Sequence, residues 1–381
     1  MFYVSKVSIP FFFLAVFDLL YSLAVKGLHS DIKVVWLTAV FGFIAHTIMS
    51  AMYQIVPNSQ GRPLRIPWLS YLVFGFSLFS SVAFYLFQSL LGSILFLAAS
   101  CIFLLHILIS VSNWQPLTVK FIGVGVLYLP LSGLFLLLSE LGYVHPALAV
   151  HALTLGFMLK VVMGVELAWI PMLYMEALNL RLGMRLFHIS LFAVPLLLVS
   201  FYFLNYKLIA LSSFLVLVLV GYFLYIIYLL MSGKRMPKEI PLIVRFLLLA
   251  LIILPSGLLL GFLMASYGLS SYLLLIHLDL LVYGFAGITI MGGMAHLYPR
   301  ILYGWKFAGK GRVAISDLVE EGCLRRIMPL LPMSLAWMIF ADVIGGPLKY
   351  ANSLPYTILW LLFLRSVLLK GLLFRQDDTT G

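Results

Sequence analysis

Histidines within apolar segments are the residues of this chain best suited to chemistry. Of the eight histidines, five lie in long apolar stretches: His46, His106, His151, His277 and His296. A neutral imidazole is a good axial ligand for haem iron and brings no charge into a low-dielectric interior. The alternative for each histidine is a ring held by hydrogen bonds for structural reasons alone. For His151 and His277 together we expect ligation of haem iron.

Three charged residues in apolar stretches form a second set of candidates. Lys160, Glu166 and Asp279 would lie inside a bundle, where a charge must find a partner or be neutralised. We expect Lys160 to pair with Asp279 or Glu166, in an ion pair that fixes the packing of helices. A fragment of a proton path is the alternative interpretation of the same residues.

These residues must be positioned by membrane-spanning helices. The chain of 381 residues is 64% apolar and 10% charged, with a mean hydropathy of +1.13. Soluble domains are about half apolar and one quarter charged, so this composition excludes a soluble fold. Cys101 and Cys323 form no metal or redox motif. The sequence predicts an all-α polytopic membrane protein, a single transmembrane domain over 1–381, in contact with the lipid bilayer.

Stretches long enough to cross roughly 30 Å of hydrocarbon predict about 12 transmembrane helices. The predicted spans are 8–26, 34–57, 67–88, 90–112, 119–140, 146–171, 186–205, 207–231, 240–266, 271–298, 326–346 and 353–373. At 205–207 only Asn205, Tyr206 and Lys207 interrupt a long apolar run.

The positive charges indicate the topology. Eighteen Lys and Arg residues fall on the side of the N-terminus, the even-numbered loops and the C-terminus, against four on the other side, Lys26, Lys33, Lys207 and Lys349. The positive-inside rule then places both termini and the long loop 300–325 in the cytoplasm. Topology also explains the net charge of +11, so we do not expect nucleic acid as a partner.

An internal repeat organises the spans. Three of them carry a Gly-Phe pair, a Met seven residues after the Gly, and a Pro eight residues after the Met. The copies are Gly42-Phe43, Met49 and Pro57, then Gly156-Phe157, Met163 and Pro171, then Gly284-Phe285, Met291 and Pro299. They fall on spans two, six and ten, which predicts three pseudo-symmetric four-helix arcs of about 1–112, 113–231 and 232–381. The alternative is that these are simply common packing and helix-end residues in membranes.

Twelve spans in three arcs, with histidines on spans two, six and ten, resemble the catalytic subunit of the haem–copper oxidases, especially the cytochrome cbb3 branch. His46 resembles the low-spin haem ligand of that family's second helix, and His151 resembles the copper ligand of its sixth. Lys349 is placed like the basic residues that hold haem propionates. Three segments of span ten resemble the tenth helix of that family: His277-Leu278-Asp279, Met291-Gly292-Gly293 and His296-Leu297-Tyr298-Pro299.

The departures from this family bear on function. The histidine pair of the seventh helix has no counterpart here, so the resemblance implies neither copper nor oxygen reduction. Asp279 stands where the second histidine of the tenth helix would be. Residues two apart on a helix point about 200° apart, so we expect Asp279 to face the site of His46 rather than that of His277. The resemblance implies haem b, one or two per chain, with His277 and His151 as iron ligands.

These expectations favour a haem-b membrane subunit of a prokaryotic respiratory electron-transfer complex. Its partners would be a cytochrome or a Rieske-type subunit, and quinol is a candidate electron source. The first alternative is a stand-alone haem membrane protein resembling those of the nitric-oxide response. The second is a haem-free structural or anchor subunit that retains the oxidase fold. A transporter is disfavoured, because transporter repeats are usually paired halves.

Overall fold

The protein is a bundle of membrane-spanning helices. The computed structural model describes residues 3–28, 31–233, 239–309 and 313–374, and all regular structure in these ranges is helical. Eleven helices have the length and hydropathy to cross a membrane, and α3 is a shorter apolar helix. The twelve are α1 (Ser8–Leu28), α2 (Ile32–Gln60), α3 (Leu69–Tyr85), α4 (Ser89–Ser110), α5 (Leu117–Glu140), α6 (Pro146–Tyr174), α7 (Leu180–Tyr202), α8 (Tyr206–Ser232), α9 (Leu242–Tyr267), α10 (Ser271–Phe307), α11 (Glu321–Ile344) and α12 (Gly346–Leu373). The predicted fold class is confirmed.

Short polar breaks separate the helices through local capping. Asn205 lies between α7 and α8, and its side chain accepts a hydrogen bond from the backbone N–H of Leu208. Leu204, just before it, has a φ of 49°, in the left-handed region. An Asn cap satisfies one of the free N–H groups at a helix start. A break between the two helices is therefore present, but it lies at residues 203–205, and Tyr206 and Lys207 of the predicted break already belong to α8.

The loop between α10 and α11 is shorter than the sequence indicated. We predicted a loop over 300–325, but α10 continues through Pro299 to Phe307, and α11 already begins at Glu321. Proline removes only one helical hydrogen bond, which an otherwise well-packed helix tolerates. Among the charges used for the topology, several lie outside the described residues: Lys234, Arg235, Lys238, Lys310, Arg312 and Arg375.

Helices α2, α6 and α10 form the centre of the bundle. The most apolar windows of α2, α6 and α10 are 89%, 83% and 56% buried, against 67% for α1 and 33–44% for the seven other long helices. Helix α2 contacts both α6 and α10, while neighbours in sequence pack side by side around them and α12 returns to contact α1. The three helices that carry the repeat are thus the three central ones.

Each central helix contains an eight-residue π-helical segment at the repeat motif. The segments are Leu37–Ile44, Ala152–Leu159 and Asp279–Ala286, and each includes the Gly-Phe pair. A Cβ on the repeat glycine would lie within 3 Å of the preceding helix in all three arcs. It would meet Asp18 at Gly42, Tyr128 at Gly156, and Ile253 at Gly284. The repeat therefore marks equivalent close helix–helix contacts.

Candidate functional site

His151 and His277 come together between α6 and α10. Their ring centroids are 6.5 Å apart and the rings are tilted by 30°. His277 is 9% exposed and His151 is partly buried. Phe201 of α7 stacks on His151 at 4.3 Å. The sequence-based pairing of these two histidines is therefore matched by their proximity in the fold.

Both rings are held by their Nδ1 atoms. Nδ1 of His151 lies 2.7 Å from the carbonyl of Ala147, and Nδ1 of His277 lies 2.8 Å from the carbonyl of Gly257. A carbonyl oxygen only accepts hydrogen bonds, so each Nδ1 carries the proton and donates. Each Nε2 then keeps its lone pair. This tautomer, fixed by a backbone carbonyl, is the usual arrangement of a metal-binding histidine.

A pair of glycines on α9 allows α10 to pack closely, and one of them, Gly261, faces His277. A Cβ on Gly261 would lie 3.0 Å from Cε1 of the His277 ring, and a Cβ on Gly257 would lie 2.6 Å from Leu281. Glycines four residues apart allow membrane helices to approach closely. Sequence reasoning missed this pair, although the Gly-x-x-x-Gly spacing of Gly257 and Gly261 was the signal for it.

His46 has a carboxylate partner that the sequence analysis did not assign. Its Nδ1 lies 2.8 Å from Asp18 of α1, and Tyr85 donates to the other Asp18 oxygen at 2.6 Å. His46 and Asp18 are 1% and 0% exposed. Among the described side chains, nothing hydrogen-bonds the buried Nε2 of His46. An imidazole oriented by a carboxylate is competent as a ligand, but Asp18 already explains why this histidine is buried.

Asp279 belongs to an ion cluster rather than to a haem site with His46. Lys26 lies 2.9 Å from Asp279 and 2.5 Å from Asp342, and Asn352 donates to the other Asp342 oxygen. The expected pairing of Asp279 with Lys160 was therefore wrong. Lys26 was counted among loop charges, but it lies in the last turn of α1 and is 6% exposed. The cluster joins α1, α10 and α11.

Lys160 and Glu166 are both buried on α6, but their side chains do not form an ion pair. The Lys160 ammonium donates to the carbonyl and the hydroxyl of Ser190, at 2.7 and 3.0 Å, and lies 5.8 Å from the Tyr128 ring centroid. Neither carboxyl oxygen of Glu166 has a hydrogen-bond partner among the described residues. The expected Lys160–Glu166 ion pair was also wrong, because six residues place the two side chains on different faces of the helix.

Lys349 lies in the short 3₁₀ turn Gly346–Ala351 that opens α12. Its ammonium is 5.1 Å from the centroid of the Tyr350 ring. This turn follows α11, so it is at the same end of the bundle as the start of α10, where His277 lies. A role for Lys349 with a haem propionate stays a prediction.

The fold and these buried polar groups define a class, the polytopic all-α membrane proteins with histidines inside the bundle. No protein-family model matches the chain. A protein of Aquifex aeolicus (strain VF5), described as an uncharacterized protein, is 44% identical over 370 residues, which cover 96% of this chain and 98% of that protein. The chain belongs to the same family as this Aquifex protein.

Proposed function

We propose that the protein is a haem-b-binding membrane subunit of a prokaryotic respiratory electron-transfer complex, and a divergent relative of the haem–copper oxidase subunit. The observation that carries the proposal is the His151–His277 pair. An imidazole nitrogen binds a transition metal at about 2 Å, so two imidazoles on opposite sides of one iron have centroids roughly 6 Å apart. The observed 6.5 Å agrees with this separation.

The chemistry of the pair supports electron transfer. His151 and His277 would hold the iron of a haem through their Nε2 atoms, and the haem would supply electron transfer. The sequence has no Cys-x-x-Cys-His motif for covalent attachment, which favours the b type. Electrons would come from quinol or a partner cytochrome, and a Rieske-type protein is a second candidate partner. We place the protein in the cell membrane with both termini in the cytoplasm.

A pyridine-haemochrome assay on detergent-purified protein tests this function. We expect one haem b per chain, lost in His277→Ala and in His151→Ala, with recovery when free imidazole is added. His188→Ala is the matched control, because His188 is exposed, and it should keep the haem. A haem content that is unchanged in both variants would refute the assignment of the ligands.

A haem-free structural subunit is the second candidate. It is favoured by the polar contacts around His46 and Asp279, where Asp18 and Lys26 supply partners from within the chain. If wild-type protein purified from cells with an ample haem supply contains no haem, the structural subunit is favoured over the haem-binding subunit. Co-purification of a cytochrome or Rieske-type protein would then identify the complex that it supports.

A further inference from the structure

A cavity of about 80 Å³ lies between the three central helices, and we call it the central cavity. The residues five, six, nine and thirteen positions after the repeat glycine line it in all three arcs. Because α2, α6 and α10 present equivalent positions to it, the cavity is a feature of the repeat and not of one helix alone.

The size of the lining side chains changes along the helices. The fifth and sixth positions after the glycine carry β-branched residues: Thr47, Ile48, Val161, Val162, Thr289 and Ile290. The thirteenth position carries the large side chains of Ile55, Trp169 and Leu297. Between these two levels, the ninth position carries Ala51, Val165 and Gly293. Space is left at this level because two of the three equivalent residues are small.

Gly293 is not required for close packing of helices. Of the described residues, only Trp169 would lie within 4 Å of a Cβ at this position, at 3.9 Å. On the neighbouring Gly292, by contrast, a Cβ would lie 3.0 Å from Phe246 of α9. Close approach of two helices explains Gly292, whereas the space beside Gly293 belongs to the cavity. The missing side chain at position 293 therefore keeps the cavity open.

The wall of the central cavity is almost entirely hydrocarbon. Glu166, Thr47 and Thr289 line it, but their side-chain oxygens are inaccessible and have no hydrogen-bond partner among the described residues. The Glu166 carboxyl is neutral by protonation, since a buried charge without a partner is too costly. A buried water needs roughly two to four polar partners, so this wall is unfavourable for water as well as for ions.

We propose that the central cavity is a binding site for one small, uncharged, apolar molecule of the size of a diatomic gas or a xenon atom. Apolar cavities of about 150 Å³ stay dry and bind benzene or xenon, so a cavity of about 80 Å³ suits a guest smaller than benzene. Apolar molecules leave water for hydrocarbon, so the bilayer around the bundle supplies such a guest. The site does not depend on a haem at the histidine pair.

Crystals of the full chain pressurised with xenon test the site, since xenon is apolar and scatters X-rays anomalously. We expect one anomalous peak in the central cavity, beside Ala51 and Gly293. In Gly293→Val the xenon occupancy should fall at least tenfold, because the new side chain fills the space. Valine fits, as Val165 already occupies the equivalent position of the second arc. Gly221→Val is the matched control, since Gly221 is exposed on α8 with nothing within 4 Å of its Cβ position, and it should keep the peak.

Ala51→Val fills the same level of the cavity from α2 and serves as a second variant if Gly293→Val does not fold. It should lower the xenon occupancy in the same way. We also expect its melting temperature in detergent to rise by about 2 °C, because a filled cavity restores van der Waals contacts. Valine has the lower helix propensity, so this rise cannot come from the helix itself.

A wild-type cavity without xenon, in crystals where xenon occupies other sites, would overturn the proposal. Ordered water molecules in the cavity would do the same. Unchanged xenon occupancy in both Gly293→Val and Ala51→Val would place the guest outside the central cavity and would also refute it.

Discussion

Lys26 and Lys33 lie near each other in sequence but in very different surroundings. The Lys26 side chain is 6% exposed between two buried aspartates, whereas the Lys33 side chain is 45% exposed beside Glu140. Burial of an ion pair makes removal of one partner expensive, because the other is left charged in low dielectric. Removal of Lys33 leaves Glu140, whose side chain is 7% exposed, but the Ser89 hydroxyl still donates to that carboxylate.

We therefore expect Lys26→Met to destabilise the protein by about 3–5 kcal/mol. Lys33→Met should cost less than Lys26→Met, because Lys33 itself is screened by solvent and the Ser89 hydroxyl still donates to Glu140. Thermal unfolding of both variants in the same detergent gives the comparison. Equal losses of stability would show that the Lys26 cluster does not hold α1, α10 and α11 together.

The partners of the buried charged and histidine residues could be predicted from the sequence only in part. Asp279 was recognisable as a buried charge, because it stands in an apolar stretch. Its partner was not, since Lys26 is 253 residues away in sequence and the pairing depends on how α1 rotates against α10. The pairing of His151 with His277 was accessible because the repeat places both on central helices.

Helix packing depends on the repeat glycines. At Gly156 a Cβ would lie 2.4–2.8 Å from Tyr128 atoms, including the Cβ of that residue, so α5 and α6 could not keep their present distance. Gly221 of α8 is also within a helix, but nothing lies within 4 Å of its Cβ position. The two glycines differ in packing and not in secondary structure.

Gly156→Ala should therefore lower stability by about 1–3 kcal/mol through overpacking. Gly221→Ala should leave stability unchanged or raise it by up to about 1 kcal/mol, because Ala has the better helix propensity. Unfolding midpoints in detergent separate the two outcomes. A double variant with Tyr128→Ala should recover part of the loss; no recovery would place the strain elsewhere.

The helices themselves followed from hydropathy, while their internal irregularities did not. Twelve spans and the repeat are visible because lipid demands long apolar runs and close contacts demand glycine. A π-helical segment adds one residue to a turn, and an apolar run such as Leu37–Ile44 shows no trace of it in the sequence. The extension of α10 to Phe307 was missed because Pro299 was taken as its end.

The orientation of the whole molecule can be tested with its own cysteines. Cys323 lies in the first turn of α11, on the side that we propose is cytoplasmic, and Cys101 is exposed in the middle of α4. Tyr143 lies in the turn between α5 and α6, on the opposite side, and is 76% exposed.

In a Cys101→Ser background, a membrane-impermeant maleimide should not label Cys323 in intact cells. It should label Tyr143→Cys, placed in a background that lacks both native cysteines. In permeabilised cells both Cys323 and the cysteine at position 143 should be labelled, which shows that each thiol can react with the maleimide. Labelling of Cys323 in intact cells would reverse the topology inferred from the distribution of charges.

The π-helical segments at the repeat motif divide each of the helices α2, α6 and α10 into two α-helical parts. One additional residue offsets the helix on either side of a π turn by about 100° of rotation, and the wider turn makes weaker hydrogen bonds than a regular α-helix. In all three central helices the π-helical segment lies at the same position of the repeat to within one residue. His151 and His277 precede these segments, while Thr47, Glu166 and Thr289 follow them. We therefore expect small rotations of the helical parts that carry His151 and His277 to be absorbed in the π-helical segments, leaving the α-helical parts that follow in place.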